Sequence, residues 1–274
     1  LFLVYGVVAV TVWSFVDYFD HFLWGMYLKR WNNNEEKARR ALRAWIPNLF
    51  SILNLTFGVL GVYFAIHMQF RFTALLLVFS VVCDAIDGSL ARKLNVETKL
   101  GAFLDSASDL VSFGILPATG ILWFLKDSHM ESAIILSAIY LVCAGYRLFR
   151  FSSAGHGDYF DGIPTTFAAP IIIFSLISTL FSSYIVFVGI VLIMSILMVS
   201  KLPYPHRHLA KDHRFLRFVQ FPAFILTLLS IAMLIRGKEG VNFYVYDILV
   251  MVFCLYTVSP IIYWKEAKEL KHEG

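Results

Sequence analysis

Apolar stretches of about 20 residues recur along the whole chain, separated by short polar turns, and each is long enough to cross a bilayer as a helix. They predict helices near residues 3–27, 47–67, 72–93, 100–125, 131–152, 164–182, 184–200, 216–235 and 243–264. The expected fold is all-α: a polytopic transmembrane helical bundle of about nine spans. Residues 1–46 read as an accessory N-terminal span plus an interfacial helix, 47–200 as a six-helix core, and 201–274 as two further spans with a tail. In the segment 35–46, Ala38, Ala41, Leu42 and Trp45 share one helix face while Lys37, Arg39, Arg40 and Arg43 share the other. Such a helix lies in the headgroup region, and Pro47 ends it.

Composition sharpens this reading. Of 274 residues, 59% are hydrophobic and 15% charged, against about 25% charged in a soluble domain, which leaves no room for a separate soluble domain. Residue 1 is Leu, consistent with a chain processed or excerpted upstream. The net charge of +4 matters less than its distribution. Nineteen of the 23 Lys and Arg fall in alternate loops; only Arg71, Lys126, Arg236 and Lys238 fall on the other side. The positive-inside rule puts the basic loops and the C-terminus in the cytoplasm, as expected of an inner-membrane protein. These loops suit anionic lipid, and no basic run suggests nucleic acid. Cys83, Cys143 and Cys254 are isolated in apolar context and read as buried small hydrophobes. Asp17 and His21 in the first span are i,i+4 neighbours that could pair, in a structural or interfacial role.

Against this background four aspartates stand out: Asp84-x-x-Asp87-Gly88-x-x-Ala91-Arg92, then eight residues, then Gly101-x-x-x-Asp105-x-x-x-Asp109. A carboxylate at membrane depth costs a few kcal/mol, so it is rare and usually functional. Asp84 and Asp87 are i,i+3, and Asp105 and Asp109 are i,i+4, so each pair shares a helix face. The two helices are joined by a short turn and must be antiparallel neighbours. Counted from that turn, Asp87 and Asp105 lie roughly 8–9 Å in and Asp84 and Asp109 roughly 12–15 Å in. Facing layers of carboxylate repel unless cations compensate them, and oxygen-only ligands select Mg²⁺, Mn²⁺ or Ca²⁺. Gly88 and Gly101 leave room for a phosphorylated ligand to reach the backbone, and Arg92 at the mouth suits a phosphate. Metal, base and cationic compensation together are the requirements of phosphoryl transfer.

All eight fixed positions of this string resemble the hallmark of the CDP-alcohol phosphotransferases, which displace CMP from a CDP-linked lipid with an alcohol. The resemblance covers about residues 47–264. It implies a metal-dependent membrane enzyme, usually a homodimer, with its site facing the cytoplasm. It implies that Asp84, Asp87 and Asp105 ligate metal and that Asp109 ligates or acts as general base. Two ions are expected, Mg²⁺ or Mn²⁺, with Ca²⁺ as a non-productive occupant. Gly88, Ala91 and Arg92 would line the CDP pocket. The preceding Pro47-Asn48-x-x-Ser51-x-x-Asn54 is also similar to the family, and would turn Ser51 and Asn54 toward the nucleotide phosphates or toward neighbouring helices.

The segments Arg147-Leu148-Phe149-Arg150-Phe151 and Phe160-Asp161-Gly162-Ile163-Pro164 look like the phosphatidylserine synthase branch, with Phe149, Ser152 and Ile163 departing from its usual residues. Arg147 and Arg150 share a face at a helix end and suit a paired site for an acceptor carboxylate, or serve as topological anchors. The loop 155–162 is polar enough to close over an acceptor, with Asp158 and Asp161 as solvated charges or, alternatively, as partners for an acceptor ammonium. His206 and His208 lack companion ligands. The expected activity is transfer from CDP-diacylglycerol or CDP-archaeol to the hydroxyl of serine. Alternatives are inositol phosphate, glycerol phosphate or choline as acceptor, or a cation-coupled transporter.

Overall fold

A computed structural model describes residues 42–153 (except 95 and 97), 159–205, and scattered residues at 14–36 and 246–254. Most of the first span, residues 37–41 of the interfacial segment, the segment 206–245 and most of 243–264 lie outside the described residues. The nine-span count is therefore carried by the sequence alone.

The described part is helical. Its elements are α1 Trp45–Ile66, α2 Phe70–Leu94, α3 Lys99–Asp109, a π-helical turn Leu110–Ile115, α4 Leu116–Leu125, α5 Met130–Ser153, α6 Thr165–Ile177 and α7 Tyr184–Val199. Two three-residue strands, β1 Tyr159–Asp161 and β2 Pro203–Pro205, pair antiparallel with Phe160 opposite Tyr204. Among the described residues, four helical stretches are long and apolar enough to cross a membrane: α1, α2, the continuous Lys99–Leu125 and Met130–Phe151. α6 and α7 are shorter and apolar.

The packing has the polarity of a membrane bundle. On α1 the buried positions are Pro47, Asn48, Ser51, Asn54, Gly58, Gly61 and Ala65, a stripe of small and polar residues at helical spacing. Leu49, Val59 and Tyr63 on the opposite side are exposed. In lipid, apolar side chains gain little by turning inward. Helices associate instead through close backbone approach and hydrogen bonds. Gly58 and Gly61 allow that approach: a Cβ on either would overlap Ser112 or Leu116.

α6 is the central helix, with Ala168 through Ile177 all buried. It ends at Ser178, before the 182 that hydropathy suggested, because the chain turns to an extended conformation there. Asp247 reaches this turn from the far end of the chain. It accepts hydrogen bonds from the hydroxyls of Ser178 and Thr179 and from the amides of Thr179 (3.1 Å) and Leu180 (3.3 Å).

Candidate active site

α2 and α3 deliver the acidic side chains as the spacing required. Thr98 caps α3, its hydroxyl accepting the Gly101 amide at 3.0 Å, and so fixes where the second helix starts. Asp84, Asp105 and Asp109 each bring a carboxylate oxygen within 4.8 Å of the others. Asp87 stands apart from that trio. One of its oxygens accepts from Ser51 Oγ at 2.8 Å and the other from the Gly88 amide at 2.5 Å. The expected cluster of four is thus three converging carboxylates and a fourth, 3% exposed, held from α1. Asp87 remains close enough to interact electrostatically with Asp105.

The donor set fits a hard divalent cation: three convergent carboxylates, no thiol or imidazole among them, and oxygens close enough to share one charge. Asn54 adds a polar group at the same depth. Its Nδ2 donates to Ser108 Oγ (3.3 Å) and to Asp109 Oδ1 (3.4 Å), while its fully buried Oδ1 has no hydrogen-bond partner among the described residues.

Other sequence expectations resolve unevenly. Arg92 is exposed at the mouth, within electrostatic reach of Asp87 and Asp105. Its guanidinium lies over Gly88, 3.6 Å from where a Cβ would stand. Ala91 is half-buried, its carbonyl accepting the Val96 amide at 3.2 Å to close the α2–α3 turn. The space left by Gly101 is taken by protein rather than left for a ligand. A Cβ there would stand 2.8 Å from Asn48 Oδ1, so this glycine lets α3 pack on α1.

Arg147 and Arg150 do not form the expected pair. Arg150 donates to the carbonyls of Met198 (3.3 Å), Val199 (3.1 Å) and Ser200 (3.2 Å), closing the C-terminus of α7. Arg147, one turn deeper, is 7% exposed, lies 5.1 Å over the Phe151 ring and interacts electrostatically with Asp109. The difference follows from α7 docking beside α5, which the sequence could not reveal. Asp158, His206 and His208 fall outside the described residues, as does the side chain of Asp161.

Sequence reasoning missed Ser80, Ser112 and Tyr140. Ser80 Oγ (3.3 Å) and Ser112 Oγ (3.0 Å) both donate to the Asn54 carbonyl, and Tyr140 Oη donates to the Phe113 carbonyl at 3.0 Å. Lone hydroxyls in apolar spans carry little signal. A mid-span Tyr is the stronger clue, because its hydroxyl needs a partner when buried.

Comparison with known proteins agrees with this geometry. Residues 44–258 match the family of CDP-alcohol phosphatidyltransferases. A CDP-diacylglycerol–serine O-phosphatidyltransferase of Helicobacter pylori is 26% identical over 228 residues, covering 80% of this chain and 90% of that protein. An archaetidylserine synthase of Methanothermobacter thermautotrophicus is 32% identical over 164 residues, covering 58% and 69%. A CDP-diacylglycerol–serine O-phosphatidyltransferase of Methanocaldococcus jannaschii is 31% identical over 162 residues, covering 58% and 73%. With its convergent carboxylates carried on adjoining apolar helices and a match that runs across most of its length, the chain belongs to the CDP-alcohol phosphatidyltransferase family.

Proposed function

We propose that the protein transfers the phosphatidyl-type group of a CDP-linked lipid, CDP-diacylglycerol or CDP-archaeol, to the hydroxyl of L-serine and releases CMP. The observation that carries this reading is the trio Asp84, Asp105 and Asp109 within 4.8 Å, in a chain whose relatives are serine phosphatidyltransferases and an archaetidylserine synthase. The enzyme works in the inner membrane, probing the cytoplasm through a mouth flanked by Arg92, Lys93 and Lys99, and acts as a homodimer.

Asp84, Asp87, Asp105 and Asp109 would hold two divalent ions, Mg²⁺ or Mn²⁺. Bound there, they supply positive charge for the pyrophosphate oxygens. The chain's own groups do the rest. Asp109 takes the proton of the serine hydroxyl as its oxygen bonds to the β-phosphorus, and the bond from that phosphorus to CMP breaks. The amide of Asn54 on Oδ1 orients the Asp109 carboxylate for this transfer. Arg92 faces the phosphates. Arg147, buried and within electrostatic reach of Asp109, meets the serine carboxylate, whereas Arg150 serves the end of α7.

The test is CMP release by the purified protein in nanodiscs with CDP-diacylglycerol, Mn²⁺ and a panel of alcohols. Serine is expected to support turnover. Turnover with inositol phosphate, glycerol phosphate or choline and none with serine would sink the acceptor assignment.

A further inference from the structure

Immediately after Asp109 the helix leaves the α register. Leu110–Ile115 form a π-helical turn, and the Leu116 amide bonds to the Val111 carbonyl five residues back. π turns are rare, and they occur frequently at functional sites. Pro117 gives a local reason for this one. It has no N–H to offer the Phe113 carbonyl four residues earlier, and its ring crowds that carbonyl in a regular helix. The hydroxyl of Tyr140, fully buried on α5, fills the place of the missing donor at 3.0 Å.

The same turn is tied on its other side. Ser112 Oγ reaches the Asn54 carbonyl at 3.0 Å, across a gap that exists because residue 58 is glycine. Asn54 in turn donates from its side chain to Asp109. The π turn is therefore held between α5, through Tyr140, and α1, through Ser112. The residue at its N-terminal edge is the proposed base. Rotation about the helix axis is about 100° per residue, so relaxing the turn toward α register would swing Asp109 relative to Asp84 and Asp105.

We infer that Tyr140 is a positioning residue for the reaction: its hydrogen bond to the Phe113 carbonyl holds the π turn that keeps the Asp109 carboxylate with Asp84 and Asp105. The inference rests on the proposed role of Asp109 in metal binding and proton transfer. It concerns a group that touches neither substrate nor metal.

The experiment compares Tyr140→Phe with the parent in nanodiscs by two readouts. One is the Mn²⁺ dissociation constant from electron paramagnetic resonance without substrate; the other is kcat at saturating Mn²⁺ with CDP-diacylglycerol and serine. The expected result is an Mn²⁺ dissociation constant raised about fivefold and kcat lowered about tenfold, the latter a loss of roughly 1.4 kcal/mol. Either quantity staying within about twofold of the parent overturns the inference.

Thr73→Ala controls for a merely structural effect, because Thr73 is equally buried and its hydroxyl bonds Gly61 and Gln69 carbonyls away from the π turn. It should lower melting temperature with both readouts unmoved. If it shifts both as Tyr140→Phe does, the inference falls. Should Tyr140→Phe not fold, Ser112→Ala releases the turn from its other side and is judged by the same two limits. Asp109→Asn run alongside separates the two failures: full turnover there removes Asp109 as the base, while the Mn²⁺ shift still judges the positioning.

Discussion

At the scale of single residues, the site divides carboxylates that face one another from one that is already hydrogen-bonded. Asp109 belongs to the first group, and Asn54 fixes one of its oxygens. An asparagine at 109 keeps that acceptor and the side-chain shape while losing the ability to take a proton. Asp109→Asn is therefore expected to lower kcat at least about a hundredfold, the low end for a lost general base. Binding of CDP-diacylglycerol at saturating Mn²⁺ should persist. Parental turnover in this variant would remove Asp109 from the chemistry. Ser51→Ala reports on the second group. It leaves Asp87, 3% exposed, without the hydroxyl at 2.8 Å, and an unmet hydrogen bond to a buried carboxyl group costs about 1–3 kcal/mol. A lower melting temperature is expected from that variant, and an unchanged one would show that another group takes the place of Ser51.

At the scale of elements, close approach decides more than propensity does. Alanine is the better helix former by about 1 kcal/mol, so propensity alone makes Gly58→Ala stabilising. Its Cβ would overlap Ser112 Oγ and stand 3.1 Å from the Ser112 Cα, and overpacking of this kind costs about 1–3 kcal/mol. The contact wins, since backbone on the π turn cannot move aside as a flexible side chain would. Gly58→Ala should melt at lower temperature and turn over more slowly, because it pushes the turn next to Asp109. Gly145→Ala, with nothing within 4 Å, should do neither. Equal behaviour of the two would remove the tight α1–π contact from the account. The long helices were legible within two or three residues because polar turns bound their apolar runs: 47–67 became Trp45–Ile66, and 131–152 became Met130–Ser153. The π register was not legible. Leu-Val-Ser-Phe-Gly-Ile reads as ordinary span sequence, and Pro117 alone signals a disturbance without its kind. The aspartates were legible because they are improbable in lipid. Sequence alone leaves Arg150 between an acceptor site and an anchor, because its partners are backbone carbonyls some 50 residues away, which no side-chain pattern records.

At the scale of the whole molecule, the question is what joins the C-terminal segment to the helices that carry the site. Tyr246 stacks against Phe174 on the central α6, with ring centroids 6.1 Å apart, and Val250 is fully buried. Beside them Asp247, 2% exposed, gathers two hydroxyls and two amides from the α6–α7 turn. Removing it leaves all four donors to find other partners, and hydrogen bonds to a charged group contribute about 1.5–3 kcal/mol each. Asparagine is a gentler change. Its carbonyl oxygen can still accept from Ser178 and the two amides, and the Thr179 hydroxyl can rotate to accept from the new NH₂. Asp247→Ala should therefore destabilise the protein more than Asp247→Asn does. The lost protection should concentrate where the C-terminal segment meets Ser178–Phe181, away from the aspartates. Hydrogen exchange in nanodiscs measures this directly. Faster exchange confined to residues 178–181 and 246–254, with turnover retained, is the expected pattern for Ala. Exchange as slow as in the parent would mean that apolar packing of Tyr246 and Val250 joins the segment to the bundle by itself.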